Sequence, residues 1–343
     1  MDVRLSRVRQ GTLSFYLGGR LGADDRLLAA SLSGSIVLRG EAAWRHAGEL
    51  RSRGWEGELL IDPAAYELEH SLAGTPNLFG SDPWLDNQRA AQVAEYVSPG
   101  VYVPARDRNA LVRGIESQTR WLEQAGSGRL SLAVHWRWLT VDLPAFTSEL
   151  LGAGLPITLA LADPNDPLGH AGAVKGLVKV LNEVPDVALF RADVGALGAI
   201  AHGATAGAVG TGTSVRHVVP PDRPAGGGRT GSPSVFCPEL LDWRLASVLA
   251  AFPRRSVPIC HLTCCQGQSL ARFIGPGGTE EARRHNLHAV HDVARQILEL
   301  DRTAQPVAFR NACRQALSAL DRLELAVSTP QTPRPQLKAW ASI

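Results

Sequence analysis

Short apolar runs alternate with amphipathic helical stretches along most of this chain, and that alternation restricts the fold more than any other feature. Strands are expected at 58–61, 101–103, 130–134, 156–161, 187–190, 206–209 and 257–260, with one more near the N-terminus. Helical patterns fill the intervals at 87–96, 108–124, 143–153, 171–183 and 194–202. Strands that are apolar on both faces suit a parallel sheet covered by helices, and parallel neighbours need a helical crossover between them. The pattern therefore predicts an α/β fold, a (β/α)8 TIM-like barrel, with a doubly wound open sheet as the alternative. At 343 residues and 45% hydrophobic content the chain has the material for one barrel domain spanning 1–343.

Other features narrow the setting. No run of 18 apolar residues occurs, so no membrane span is expected. The first residues, MDVRLSRVRQGTLSFYLGG, lack the apolar stretch of a secretory signal. Five cysteines, an odd number and mostly clustered, do not read as a disulfide framework, and a reducing cytoplasmic location is expected. A formal net charge of +2 neither requires nor excludes a nucleic-acid partner. The Pro/Gly-rich stretch 220–233, PPDRPAGGGRTGSP, is expected to be a flexible loop. The tail TPQTPRPQ after Ser328 also reads as loop, and 308–325 as a late amphipathic helix.

Polar residues recur just past the expected strands: Asp62, His135, Asp163, and Arg191 with Asp193. In a barrel these lie at the C-terminal mouth, where active sites are built. An Asp in that position also commonly caps the next helix, so each acid carries two readings. In His135-Trp136-Arg137-Trp138 alternation sends His135 and Arg137 to the mouth while the tryptophans pack. Gly210-Thr211-Gly212-Thr213-Ser214 follows a strand and offers backbone N–H groups to a phosphate, without the Lys of a P-loop.

A compact set of soft ligands lies near the C-terminus. Cys260-His261-Leu262-Thr263-Cys264-Cys265 is followed by Arg284-His285-Asn286-Leu287. Structural zinc takes four ligands, usually Cys and His, and a cysteine loop leaving a strand can be closed by a His from the next helix. This predicts a zinc-binding subregion at 257–295 built from Cys260, one or both of Cys264 and Cys265, and His285, with His261 as a further candidate. Cys237 and Cys313 stand apart and read as core residues.

The Cys cluster followed by His285-Asn286-Leu287 resembles the zinc region of the tRNA-guanine transglycosylases. Cys260 and Cys265 keep that family's outer spacing, while its middle Cys falls on Leu262, for which Cys264 or His261 is the replacement. Leu60-Ile61-Asp62-Pro63-Ala64-Ala65-Tyr66-Glu67 is similar to the family strand that ends in an acid, with Tyr66 at the aromatic that stacks on the bound base. Ala201-His202-Gly203 and Arg216-His217 resemble the stretch around the family's nucleophilic Asp, which here falls on Gly207 or Ala208. The resemblance spans roughly residues 50 to 300 and rests on order and spacing. The short chain and altered zinc loop fit the DNA-guanine transglycosylases of 7-deazaguanine DNA-modification systems better than the tRNA enzymes.

The resemblance implies a pentosyltransferase that exchanges guanine in nucleic acid, DNA before tRNA, for a 7-deazaguanine base. Such chemistry needs an acid near C1′ and a second group that moves a proton to or from the base. It also needs a slot for the flipped base. Asp62 and Asp193 are the expected catalytic acids; Tyr66, Asp163, Arg191 and His135 are the expected substrate contacts, Arg191 toward a phosphate or base edge. The absent nucleophile at Gly207 or Ala208 keeps open a non-catalytic zinc-stabilised barrel that binds nucleic acid or partners an active paralogue. A homodimer fits either reading.

Overall fold

The computed structural model describes residues 11–18, 21–67, 82–221, 231–327 and 334–343. Residues 222–230 of the expected flexible loop and 329–333 of the expected loop-like tail lie outside the described residues. The chain divides into two compact units, Met1–Ala225 and Gly226–Ile343.

The first unit is a parallel α/β fold. Its strands are β1 (Thr12–Leu17), β2 (Ser35–Arg39), β3 (Glu58–Asp62), β4 (Val101–Val103), β5 (Leu130–His135), β6 (Ile157–Ala162), β7 (Val187–Ala192) and β8 (Ala206–Gly210). The helices are α1 (Ala23–Ser33), α2 (Ala43–Ser52), α3 (Pro83–Ala90), α4 (Arg108–Ala125), α5 (Leu143–Ala153), α6 (Ala173–Glu183) and α7 (Gly195–Ala201). The strands form one eight-stranded sheet in the order β3-β2-β1-β8-β7-β6-β5-β4. That order is the chain order cyclically permuted. The strand ladder ends at β3 and β4; there Ala94 N–H donates to Leu59 O at 2.8 Å and Ala65 N–H to Pro99 O at 2.9 Å.

The sheet is curled. Tyr66, just past β3, packs with Ala133 of β5 and Ala160 and Ala162 of β6. Such contact between distant strands requires the sheet to curl around a common interior. Every residue of β6 and β7 is buried, as expected of strands covered on both faces.

Two sequence expectations are corrected. The stretch 257–260 is not a strand of the main sheet; the N-terminal region supplies two strands, β1 and β2. Ser-Ile-Val-Leu in β2 is a continuous buried run, whereas at 257–260 only Ile259–Cys260, after Pro258, is extended. The helix expected at 87–96 begins earlier, at Pro83, because Asp82 caps it by accepting from Trp84 N and Leu85 N at 2.8 and 3.2 Å.

At the N-terminal end of the sheet Arg129 is fully buried. It donates to Glu95 at 2.9 Å, to Asp186 at 3.2 Å and to Ile157 O at 3.4 Å, tying β5, β6 and the turn before β7 together. Removing one partner of a buried ionic cluster strands the others. Arg129→Ala is therefore expected to cost about 3–5 kcal/mol, read as a lowered urea midpoint. A loss below about 1 kcal/mol, the range of an exposed pair, would contradict this account.

The second unit contains β9 (Ser234–Cys237) paired antiparallel with β10 (Asp242–Leu245), then α8 (Ala246–Ala250). The short hairpin β11 (Ile259–Cys260) and β12 (Gln268–Ser269) follows, and α9 (Gly278–Leu298), α10 (Gln305–Val327) and α11 (Pro335–Ala341) complete it. The end of the expected loop-like tail is thus helical from Pro335, and Trp340 of α11 packs edge-on against Phe309 of α10 at 5.5 Å. Cys237 and Cys313 are buried, as their isolation suggested. Among the described residues, no helix is long and apolar enough to cross a membrane.

Candidate functional site

The second unit gathers Cys260, Cys264, Cys265 and His285, whose ligand atoms all lie within 4.8 Å of one another. A tight turn makes this possible. Leu262 O accepts from Cys265 N and Gln266 N at 2.9 and 2.8 Å, and Gln266 and Gly267 take positive φ angles of 51° and 77°. The chain thereby reverses, and Gly267 N–H returns to Cys260 O at 3.0 Å. Leu262 contributes its carbonyl to this turn, and Cys264 supplies the third sulfur. His261 is exposed and stands outside the group.

His285 is oriented by its far nitrogen. Nε2 lies 2.7 Å from Phe236 O, which can only accept, so Nε2 carries the proton and Nδ1 turns its lone pair to the sulfurs. Nδ1 is 3.2 Å from Cys265 Sγ and 4.0 Å from Cys264 Sγ, and those two sulfurs are 3.6 Å apart. The adjacent Asn286 accepts from Phe236 N at 2.7 Å and donates to Ser234 O at 2.8 Å, fixing α9 to β9. Arg272 reaches Cys265 Sγ at 3.4 Å.

Burial lowers the His285 pKa to about 4, keeping the imidazole neutral, and burial raises the Cys264 and Cys265 thiols. A neutral imidazole is a ready ligand. Cys264 and Cys265 would give up their protons on binding a cation, which takes the place of the protons on sulfur. Three sulfurs and one imidazole nitrogen, with no water needed to complete them, form a group that can hold a metal ion.

In the first unit, Asp62 ends β3. Its Oδ2 accepts from the hydroxyls of Tyr16 and Tyr66, each at 2.7 Å, and its Oδ1 from Ala64 N at 2.9 Å. All three side chains are almost wholly buried. Burial first, and then the Asp62 charge, raise the pKa of both tyrosines, so the phenols stay protonated and donate. A Cβ on Gly100 would lie 2.7 Å from the Tyr66 ring, so only glycine leaves that ring its place. Tyr66 is buried and donates to Asp62, in a cluster with Ala133 of β5 and Ala160 and Ala162 of β6. Tyr66→Phe is expected to cost about 1–3 kcal/mol in a urea titration, because it leaves a buried carboxylate oxygen one donor short. An unchanged midpoint would mean that the hydroxyl contributes nothing to Asp62.

Arg191 lies on β7 at a register shift between Leu189 and Ala192, with φ at 51°. The shift breaks the strand's alternation and turns the side chain inward. Its guanidinium pairs with Glu67, donates to Tyr66 Oη at 3.4 Å, and donates to Ser214 O and His217 O at 2.9 and 3.1 Å. Glu67 is shared with Arg39, at the end of β2.

The other expected residues divide. Asp193 Oδ1 accepts from Gly195 N at 2.9 Å at the start of α7, the capping geometry. Asp163 Oδ1 accepts from Asn165 N and Asp166 N at 2.7 and 3.0 Å, while its Oδ2 lies 2.9 Å from His170 Nε2. His170 stacks on Trp136 with centroids 3.6 Å apart. Of the tryptophan pair only Trp138 is core, donating to Pro104 O at 2.8 Å. His135 Nδ1 accepts from Arg137 N at 3.2 Å. His217 adjoins both acids: burial lowers its pKa, and the charges of Asp193 and Asp163 oppose that fall. In the glycine-rich loop, Thr211 N–H is already bonded to Tyr16 O at 3.2 Å. A Cβ on Gly207 would lie 2.9 Å from Ile200 of α7, and Ala208 is buried in the core cluster that contains Tyr16.

Sequence reasoning missed Tyr16, Arg39, Glu67 and His170. Tyr16 sits in an apolar strand and reads as packing, and Arg39 and Glu67 read as solvated ends. Their partners lie across the sheet, where no local pattern points.

No protein-family model matches this chain, and no curated protein is similar to it. Among solved structures, the 3-dehydroquinate dehydratase from Aquifex aeolicus VF5 aligns over 62% of this chain and 94% of its own, at 12% identity and a TM-score of 0.32. A likeness of that size carries no argument.

Proposed function

We propose that the chain is a guanine transglycosylase-like enzyme that exchanges guanine in nucleic acid, DNA in preference to tRNA, for a 7-deazaguanine base. The observation that carries this reading is Asp62. It is an acid at the end of a parallel strand, aligned by Tyr16 and Tyr66 beside the buried cation Arg191. An acid so held stabilises positive charge at C1′ as a base departs, or attacks that carbon. Asp193 takes the second role, moving a proton to or from the base. Zinc in the Cys260, Cys264, Cys265 and His285 centre organises the second unit, in keeping with a donor set that leaves no open position. Closure of the curled sheet into a full (β/α)8 barrel and a cytoplasmic location belong to the same proposal.

A second reading, a non-catalytic zinc-stabilised subunit that binds nucleic acid or partners an active paralogue, is favoured by one feature. The Asp62 carboxylate is satisfied by three internal donors, and neither Gly207 nor Ala208 offers a side-chain nucleophile. Release of labelled guanine from DNA or RNA by the purified protein, with a deazaguanine base supplied, separates the two. Exchange supports the enzyme; its absence on both polymers leaves the subunit.

A further inference from the structure

We propose that Arg39 and Arg191 form a phosphate-binding site that Glu67 fills from within. The carboxylate bridges the two cations, Oε2 toward Arg39 and Oε1 toward Arg191. One negative charge is thus shared by two guanidinium groups, each built for two-point contact with an oxyanion. The other carboxylate nearby, Asp62, is committed to Tyr16, Tyr66 and Ala64 N–H.

Arg191 is prepared for a ligand. Its side chain is 2% exposed, its backbone holds a positive φ at a strand irregularity, and its Nε is buried without a hydrogen-bond partner. Backbone strain retained at a buried cation is characteristic of binding and catalytic positions. Ser214 O and His217 O hold its Nη2, so the guanidinium keeps its place when Glu67 leaves. Glu67 and Arg39 are 23% and 28% exposed, so exchange of the carboxylate for an outside anion takes place on the solvent side. The crowding is visible in Arg39, whose pKa is lowered by burial and by the Arg191 charge.

Phosphate fits better than a second carboxylate, because a monoester carries about −1.5 to −2 charges near neutrality and so matches two cations. The group is a monoester, carried by a free nucleotide or by the phosphorylated end of a nucleic-acid strand; a backbone diester has a single charge and lacks this match. The inference rests on the geometry of the first unit and stands whether or not the protein exchanges bases.

The test uses the full chain with inorganic phosphate as probe, by calorimetry and by thermal melting against chloride at matched ionic strength. Phosphate is expected to raise the wild-type melting temperature beyond chloride, and Arg39→Gln to abolish that increment. Glu67→Gln keeps size, leaves one acceptor oxygen in place of two and removes the competing charge, and is expected to bind phosphate about tenfold tighter, the scale of one charged hydrogen-bonding partner. A merely structural Glu67 would give weaker or unchanged binding on substitution. Displacement of phosphate by a nucleoside monophosphate identifies a free nucleotide, and displacement only by a 5′-phosphorylated oligonucleotide identifies a strand end; equal displacement by an oligonucleotide without terminal phosphate contradicts the monoester site. Should Glu67→Gln fail to fold, the wild-type and Arg39→Gln melts decide. The proposal is overturned by wild-type melting that is indifferent to phosphate, by phosphate binding that ignores Arg39, or by a folded Glu67→Gln that binds no tighter.

Discussion

Chelation of zinc is expected to produce the largest loss of stability of any single perturbation of this protein. Structural zinc contributes an apparent 10–16 kcal/mol in small zinc peptides at about neutral pH, because the site forms only with the fold. Here Cys260 and the turn carrying Cys264 and Cys265 are joined to α9 through His285. Purified protein should carry about one zinc per chain. Cys260→Ser, Cys265→Ser and His285→Ala should each abolish that stoichiometry and solubility together. Cys264→Ser is expected to be milder, since that residue is partly exposed while Cys260 and Cys265 are buried. Asn286→Ala leaves all four ligands but loosens β9 from α9, and should lower zinc affinity about 10–100-fold, as loss of an outer partner does.

Acid should act in the same direction. Without a bound metal, burial lowers the His285 pKa to about 4, below its ordinary value of about 6.5. Above about 6.5 the residue is neutral folded and unfolded, and its full contribution is present. As pH falls toward about 4 the unfolded chain takes up a proton that the folded chain refuses, and stability drains away. Metal analysis of fresh protein, with near-ultraviolet dichroism before and after chelation, checks the whole account. Metal-free protein indifferent to chelator would remove both the zinc centre and the resemblance built on it.

Asp62→Asn is expected to abolish base exchange. If Asp62 attacks C1′, the displaced base leaves a covalent link between protein and nucleic acid, and an amide cannot form it. Asp193→Asn, at the proton-transfer position, should instead slow exchange by about 10²–10⁴-fold. The substitutions are close in size, and the amide oxygen introduced by Asp62→Asn can still accept from Tyr16 or Tyr66, so unchanged far-ultraviolet dichroism should accompany the lost activity. Trapping a denaturant-resistant protein–DNA adduct with wild type, and none with Asp62→Asn, would establish the nucleophile. Exchange that survives both substitutions would shift the roles to Asp163, whose carboxylate already pairs with His170 at 2.9 Å. Because Asp193 also caps α7, its variant needs a melting control: a cap costs about 0.5–2 kcal/mol, which must not be mistaken for lost chemistry.

What the sequence determined by itself was whatever depends on neighbours along the chain. The buried runs of β6 and β7 announce a parallel sheet because strands covered on both faces have no polar side to alternate. Cys260, Cys264, Cys265 and His285 were legible because one tight hairpin and one helix, α9, supply all the ligands. The tertiary structure alone decided which alternatives were real. It placed Cys264 in the metal group and His261 outside it, and gave the main sheet β2 in place of 257–260. It also gave Asp193 a capping contact and Asp163 a histidine partner. Above all it joined Tyr16 to Asp62 and Arg191 to Glu67, pairs separated by 46 and 124 residues. Hydrophobic periodicity records which face of an element is hidden and says nothing of what it meets. Only the curl of the sheet brings the ends of β1, β2, β3 and β7 to one place, and there residues that read locally as core or solvated surface become partners.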